Sequence, residues 1–407
     1  MSSEQKALEG FNEETEGQAS EWEEAIFSDV IDINDYPSVE KGEEYKSVGM
    51  SDVARNKRKI QNWERKEYSY SRPRFRNGQT LMARITPCLE NGKTAFVDIL
   101  DEDEAAIGST EFIVLSDTEK TIPKFVYYTA RRPEIRQFAI KRMTGTSGRQ
   151  RVPLDIFDKK KIKLPSLPEQ RKIVDILDSL DAKLELNNQI EDVVSDFGTT
   201  LMQKMEEERE TEKIEISEMG EIVTGNTPST KENEFYGGEF PFITVSDFDN
   251  KIVVYETEKG LTPEGRKEVE SKKVPKDAVM VSCIGTDLGK TGITSQECVT
   301  NQQINTIIPS GSYGCGYTYF KMKSLRNTFQ QYAGGSAQPI LSKSKFGNIE
   351  IEVLSENQRK EFNRILNPLL EQIKNIKAEN KRLKELRDTL LPKLMSGEIR
   401  VNVDGDE

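Results

Sequence analysis

The sequence predicts an α/β protein made of two copies of one module, each an α/β domain followed by a long helix. Three observations carry this. The chain resembles itself at a spacing of about 189 residues, each repeat opens with short β-rich runs, and each closes on an amphipathic heptad run.

Composition sets the bounds. At 407 residues, 35% hydrophobic and 31% charged, the chain suits two or three domains better than one large core. No run of about 18 apolar residues occurs, and the start, "MSSEQKALEGFNEETEGQ", is acidic where a signal peptide is basic and then apolar. A cytoplasmic protein is expected. Cys88, Cys283, Cys298 and Cys315 are scattered without a C-x-x-C, as reduced packing thiols are. The absence of histidine removes the commonest general base and metal ligand, and with it the usual Ser-His and Cys-His pairs. Neither a metal nor a cofactor is expected.

In chain order, residues 1–24 read as an acidic tail without ordered structure. Residues 25–165 and 213–355 read as α/β domains with strands in runs such as "STEFIVL", "EFPFITVSDF" and "KIVVYE", bounded by Gly, Pro, Asn and Asp. Residues 166–212 and 356–400 read as helices. In the second helix, positions 362, 366, 369, 373, 376, 380, 383, 387, 390 and 394 alternate by four and three, a coiled-coil seam broken by Asn380 and Arg387. Pro368 should kink it or end its first segment. In the first helix Ile173, Leu177, Leu180 and Leu184 start the seam, Asn187 and Asn188 interrupt it, and Ile190, Val194, Phe197 and Leu201 resume it. One such helix per module can pair with its twin, the asparagines then fixing register.

The repeat is visible in letters. "MTGTSGRQRVPLDIF" from Met143 matches "AGGSAQPILSKSKF" from Ala333, aligning Ser147 with Ser336, Gln150 with Gln338 and Phe157 with Phe346. Gln170-Arg171-Lys172 matches Gln358-Arg359-Lys360. "TLMARITPCLENGKTAFV" matches "AVMVSCIGTDLGKTGI". That last match settles how "GTDLGKTG" is read. A phosphate loop needs four residues between its first Gly and Gly-Lys and a helix after it, whereas here three intervene and a β-rich run follows. The first copy has Pro87 where the second has Gly285, so the two Gly-Lys-Thr turns read as a shared strand–turn–strand corner with an exposed lysine.

Charge is unevenly spread. The net charge is −12, yet residues 51–165 hold 24 Lys/Arg against 15 Asp/Glu, a basic segment inside an acidic chain. Such asymmetry points to a surface facing a polyanion.

Two α/β domains, each followed by a helix opening with "PSLPEQRKI" or "VLSENQRK", resemble the specificity subunits of type I restriction–modification systems. The likeness extends from about Ile26 to Val401. It is carried further by "FRNGQTLMARITPCLENGK" in the first domain and "ISEMGEIVTGNTPSTKENEFYGGEFPFITVSDF" in the second. The resemblance implies two target-recognition domains on an intramolecular antiparallel coiled coil with a pseudo-two-fold internal repeat. It also implies a non-catalytic reader of an asymmetric, bipartite double-stranded DNA sequence, with methyltransferase subunits docked on the helices and restriction/translocase subunits joining that core. No Asn-Pro-Pro-Tyr methylation motif is present. A coiled-coil assembly scaffold that binds no DNA is the alternative, and a nucleotide hydrolase comes third.

For a DNA reader, Arg and Lys supply phosphate contacts, and Arg, Gln, Asn, Ser and Thr can read base edges. "YSYSRPRFRNG" offers Arg72, Arg74 and Arg76 on one face of an edge strand or loop set by Pro73, interleaved with Tyr70 and Phe75. The "TGTSGRQR" loop offers Thr146, Ser147, Gln150 and Arg151, and its counterpart Ser336 and Gln338. The "TGNTPST" turn offers Thr227 and Ser229, and the two Gly-Lys-Thr corners Lys93 and Lys290. The second domain is less basic. Its Lys272, Lys273, Lys276, Lys290, Lys343 and Lys345 either gather on one face or leave most phosphate neutralisation to partners.

Overall fold

The computed structural model describes residues 22–55, 57–69, 71–146, 148–207, 211–248, 251–334 and 340–403. The acidic segment 1–21, Tyr70, Ser147, Ser336 and Gln338 lie outside the described residues. The chain divides into two compact units, one of residues up to 183 with those from 383 onward, the other of residues 184–382.

The first unit holds β1 (Glu23–Ile26), β2 (Ile31–Ile33), β3 (Glu44–Val48), β4 (Glu64–Glu67), β5 (Arg74–Phe75), β6 (Thr80–Ala83), β7 (Thr94–Phe96), β8 (Ala106–Gly108), β9 (Phe112–Asp117) and β10 (Lys161–Leu164). One sheet has the order β2-β9-β6-β7, a second β4-β3-β8-β5, and β1 pairs with β10. Helices α1 (Pro123–Arg131) and α2 (Pro133–Ile140) follow β9. Each starts on a proline, whose missing N–H costs nothing in a first turn.

The second unit holds β11 (Thr211–Glu215), β12 (Gly220–Thr224), β13 (Tyr236–Ile243), β14 (Val253–Val254), β15 (Lys259–Leu261), β16 (Lys273–Val274), β17 (Val279–Ser282), β18 (Thr291–Thr294), β19 (Cys298–Thr300), β20 (Ile304–Pro309) and β21 (Glu350–Leu354). Its sheets run β12-β20-β17-β18-β14 and β15-β13-β19-β16, and β11 pairs with β21. Apart from β14, which adds a fifth strand to one sheet, this is the strand order of the first unit again. Even the parallel pair inside an otherwise antiparallel sheet recurs, β3 with β8 and β13 with β19. The repeat read in the letters is a repeat of topology.

The expected helices form, as α3 (Leu167–Glu207) and, after α4 (Gly314–Ser324) and α5 (Arg326–Tyr332), α6 (Glu356–Ser396). The first long helix starts on a capping box and the second on one half of such a box, each satisfying an amide group with no intrahelical partner. Ser166 and Glu169 form one, and the Gln358 side chain caps the Ser355 amide in the other. This corrects the letter match by one residue: Glu169 corresponds to Gln358, and buried Gln170 to buried Arg359.

Helix α6 runs on through Pro368, so the proline does not end its first segment. Pro368 is exposed, as is Arg364 one turn earlier, so the carbonyl deprived of its donor faces water.

The helix pairing is antiparallel. In the second unit, Asn187 donates to Asn380 (2.7 Å) and to Glu379 (2.8 Å), and Glu191 meets Lys377. In the first unit Arg387 is bound to Asp181 at 2.8 Å, so it continues the seam as an ion pair. Asp181 also accepts from Tyr128 and pairs with Arg131, tying α1 to both long helices. The expected resumption of the seam in α3 is corrected: Ile190 and Phe197 are exposed, while Glu191, Val194, Gly198, Met202 and Met205 are buried. The cause is visible at Gly198, where an added Cβ would lie 2.1 Å from the Phe320 ring on α4, so α3 turns its glycine inward.

Candidate nucleic-acid interface

The corresponding sheets of the two units gather their loops at corresponding ends. In the first unit the end is set by the last residue of β6 and the first residues of β9 and β7, because Ala83 faces Phe112 and Met82 faces Thr94. Three segments emerge there. The corner 84–93 joins β6 to β7; Arg55 bridges to Lys93; and Thr144 pairs with Arg151, which is also fixed to Ile85. Between Thr144 and Arg151 in the chain, Gly145 (φ 122°) and Gly148 (φ 79°) adopt a backbone that β-carbon residues resist.

At this end Thr146, Arg149, Arg55 and Lys57 are exposed. Gln150 is half-buried, its carbonyl accepting from the Thr86 amide. Arg151 is held by Glu111 in a two-pronged ion pair, Nε to Oε2 at 2.9 Å and Nη2 to Oε1 at 2.7 Å. It therefore braces this segment and leaves Arg149 as its exposed cation. Lys93 is half-buried and donates to the Met50 carbonyl at 2.7 Å, so the exposed lysine expected at this corner is absent.

Arg72, Arg74 and Arg76 differ from one another. The strand covers only Arg74–Phe75, at a sheet edge as Pro73 requires. Arg74 stacks over Tyr36 (5.1 Å) and Tyr68 (5.9 Å), Arg72 donates to the Ser47 hydroxyl, and exposed Arg76 pairs with Asp35 at 2.7 Å. Burial raises the pKa of Tyr36, against the opposing pull of Arg74 and Arg84. Phe75, read as interleaved with these arginines, is fully buried core.

In the second unit, Val223 and Thr224 face Thr306 and Asn305, and Ser282 faces Ile304, which brings the ends of β12 and β17 beside the start of β20. The turn 225–230, the segment 301–303 and the corner 283–290 emerge together, and Leu341 joins through its amide to the Cys283 carbonyl. Thr227 donates to the exposed Gln302 amide oxygen, with exposed Asn226 and Ser229 beside it. The corner is a strand–turn–strand, not a phosphate loop, and Gly289 at φ 85° matches Gly92 at φ 69°. Lys290 is partnered too, by Asp287 at 2.8 Å. The lysines differ in their partners: Lys343 and Lys345 are exposed after Leu341, whereas Lys273 is taken by Glu270 and Glu297 and Lys276 by Glu371.

Sequence reasoning missed Arg55, Lys57, Arg149, Asn226 and Gln302. The run "ARNKRKI" was visible as a basic stretch, but only the strand pairing puts it beside the Lys93 corner.

Elsewhere in this unit a depression of about 620 Å³ is lined by Phe240, Arg266, Lys267 and Glu270, and its arginine is already engaged. Arg266 lies over Phe240 and pairs with Glu297 and Glu270. Among the described residues no group of three or more Cys, Asp or Glu could hold a metal ion, and no helix is long and apolar enough to cross a membrane. Burial pushes the thiols of Cys283, Cys298 and Cys315 up to about 12.

Two like domains, each offering polar and basic loops from one sheet end and each carrying one of two paired helices, define a class of two-headed binding protein. Comparison with known families makes the class specific. The type I restriction modification DNA specificity domain matches twice, over residues 19–195 and 208–385, and the chain belongs to that family. It is 26% identical over 470 residues to the type I restriction enzyme HindI specificity subunit of Haemophilus influenzae, spanning 93% of this chain and all of that one. It is 29% identical over 196 residues to the MjaIX specificity subunit of Methanocaldococcus jannaschii, spanning 47% and 45% of the two chains. The crystal structure of the type I restriction-modification system S subunit from M. genitalium shares the fold, with a TM-score of 0.56 at 17% identity over 93% of this chain and 97% of that one.

Proposed function

We propose that the chain is the non-catalytic specificity subunit of a cytoplasmic type I restriction–modification complex. Its recognition domains, 25–165 and 213–355, each read one half of a bipartite DNA target. The helices at 166–212 and 356–400 hold the two readers at a set spacing and carry methyltransferase subunits, to which restriction/translocase subunits are added. The supporting observation is that the two units present loops from the same end of the same sheet, with exposed Arg55, Lys57, Thr146 and Arg149 in one and Asn226, Ser229 and Gln302 in the other.

Arg and Lys at such loops suit phosphates, and Asn, Gln, Ser and Thr suit base edges. Arg72, Arg74 and Arg76 would contribute from the neighbouring sheet edge. Lys93, Lys290 and Arg151 would hold the corners in shape while adding positive charge. Ser147, Ser336 and Gln338 complete the proposed contacts.

The test is binding of the assembled complex to target and half-site-scrambled duplexes at several salt concentrations. Arg55→Ala with Arg149→Ala should weaken binding and lower the log–log salt slope by about 0.9 per lost phosphate contact. Unchanged affinity and slope would remove these loops from the DNA face. Intact assembly without any DNA binding by the parent complex would favour the scaffold reading.

A further inference from the structure

The second unit carries an exposed isoleucine where the first carries an ion pair. Ile340 bridges to Ile284 as Arg151 bridges to Ile85, and the Leu341 amide donates to the Cys283 carbonyl as the Val152 amide donates to that of Arg84, each at 2.9 Å. Ile340 therefore occupies the place of Arg151. Likewise the Cys283 amide donates to the Gln303 carbonyl as the Arg84 amide does to that of Glu111, which puts Gln303 in the place of Glu111. The arginine and glutamate of the first unit are thus replaced by an isoleucine and an amide.

The isoleucine stays open to solvent. Gln303 is turned to Asn301, whose Nδ2 donates to its side-chain oxygen at 3.2 Å, while Ile340 is 55% exposed. Half-buried Ile284 stands directly opposite Ile340, the placement that sets two side chains together on one face. Two features narrow what this apolar pair meets. Asn226, Ser229, Thr286 and Gln302 are exposed at the same strand end and exposed Lys343 follows three residues on, so the surroundings suit a polyanion that presents polar edges. An isoleucine side chain has neither donor nor acceptor. Of the groups a base pair shows in the major groove only the C5 methyl of thymine is apolar, so that methyl is the one feature the pair can select. A phosphate oxygen set against it would lose water and gain no hydrogen bond.

We infer that Ile340, seated beside Ile284, is a specificity-determining residue that contacts the C5 methyl group of one thymine in the half-site of the second recognition domain. The inference rests on the proposed function and sharpens it. The two domains then use one position of the fold in different ways, the second for an apolar contact and the first for Arg151, which Glu111 holds at 2.7 Å.

The experiment measures binding of the assembled complex to its target duplex with the thymines replaced one at a time by deoxyuridine, which removes the methyl and leaves every hydrogen-bonding group in place. For the parent, one such replacement should weaken binding about four-fold, the worth of one buried methyl group. Ile340→Ala should bind the unmodified duplex more weakly by a similar factor, and should no longer distinguish that uridine from thymine. Its log–log salt slope should equal the parent's, because no phosphate contact is lost. The side chain is solvent-facing, so thermal unfolding of the variant should match the parent. A uridine penalty that persists undiminished in Ile340→Ala would overturn the contact, and so would a parent complex indifferent to every uridine. A parent complex that binds target and scrambled duplexes alike, or binds neither, would instead overturn the proposed function, and the thymine contact with it.

Discussion

The two units share a topology and differ at the places where their helices pack. In the first, position 181 of α3 is Asp, bound to Arg387 and Arg131 and fully enclosed; the corresponding position of α6 is Leu370, equally buried among apolar neighbours. Arg387 in turn corresponds to Gly198, which lies against Phe320. One architecture is therefore held at equivalent points by a buried ion network and by close apolar packing. The shared fold depends on which positions are inside, and much less on what fills them.

Exchanging the solutions should give the largest effects. Asp181→Leu places the second unit's residue in the first, leaves enclosed Arg131 without its carboxylate and leaves Arg387 only the exposed Asp388, at a cost of about 3–5 kcal/mol. Leu370→Asp buries an unpaired carboxylate and should cost a similar amount. Urea unfolding measures both, and a loss below about 1 kcal/mol for Asp181→Leu would mean the network is dispensable.

Gly198 tests the close approach in the second unit. Gly198→Ala should destabilise by about 1–3 kcal/mol because the Phe320 ring has to move, despite alanine's better helix propensity. Hydrogen exchange of α4 amides is the local readout, and faster exchange is expected there.

The loop clusters should differ in kind. Arg149→Ala should lower the salt slope of DNA binding by about 0.9, while Gln302→Ala should leave the slope alone and relax one base position by about 1–3 kcal/mol. Equal salt effects from both would erase the contrast between a phosphate-holding and a base-reading loop.

The smallest effect belongs to the helix caps. Burial raises the pKa of Glu169, but hydrogen bonds from Arg400 and Trp22 outweigh it and hold the carboxyl below its usual range. A carboxylate of depressed folded pKa gives stability that is complete above the unfolded value, about 4.3, and is lost as pH falls through the folded one. The twin cap uses Gln358, which does not titrate. Acid unfolding of the first unit should therefore flatten in Glu169→Gln, while Gln358→Ala should shift stability without changing its pH dependence.

Much of this was legible in the sequence because it depends on periodic burial. All ten seam positions of α6 are buried or half-buried, and the corner at Gly289 is the expected strand–turn–strand. What could not be read depends on contacts distant in the chain. Ile190 and Phe197 satisfy the heptad as well as Glu191 and Gly198 do, until Lys377 and Phe320 arrive from elsewhere. Lys93 looked exposed because nothing local occupies it, and its partner is the carbonyl of Met50. In sequence Arg149 and Arg151 look alike, and only Glu111, distant in the chain, distinguishes them.

The hold of Met50 on Lys93 has a consequence for chemical labelling. An ammonium group half-buried and hydrogen-bonded to a backbone carbonyl reacts with amine reagents chiefly when the segment around it opens. The acylation rate of Lys93, set against that of exposed Lys57, is thus a clock for the opening of the β6–β7 corner, readable by mass spectrometry without any substitution. Slowing of that clock when DNA is added would report local stiffening of the loops at that strand end.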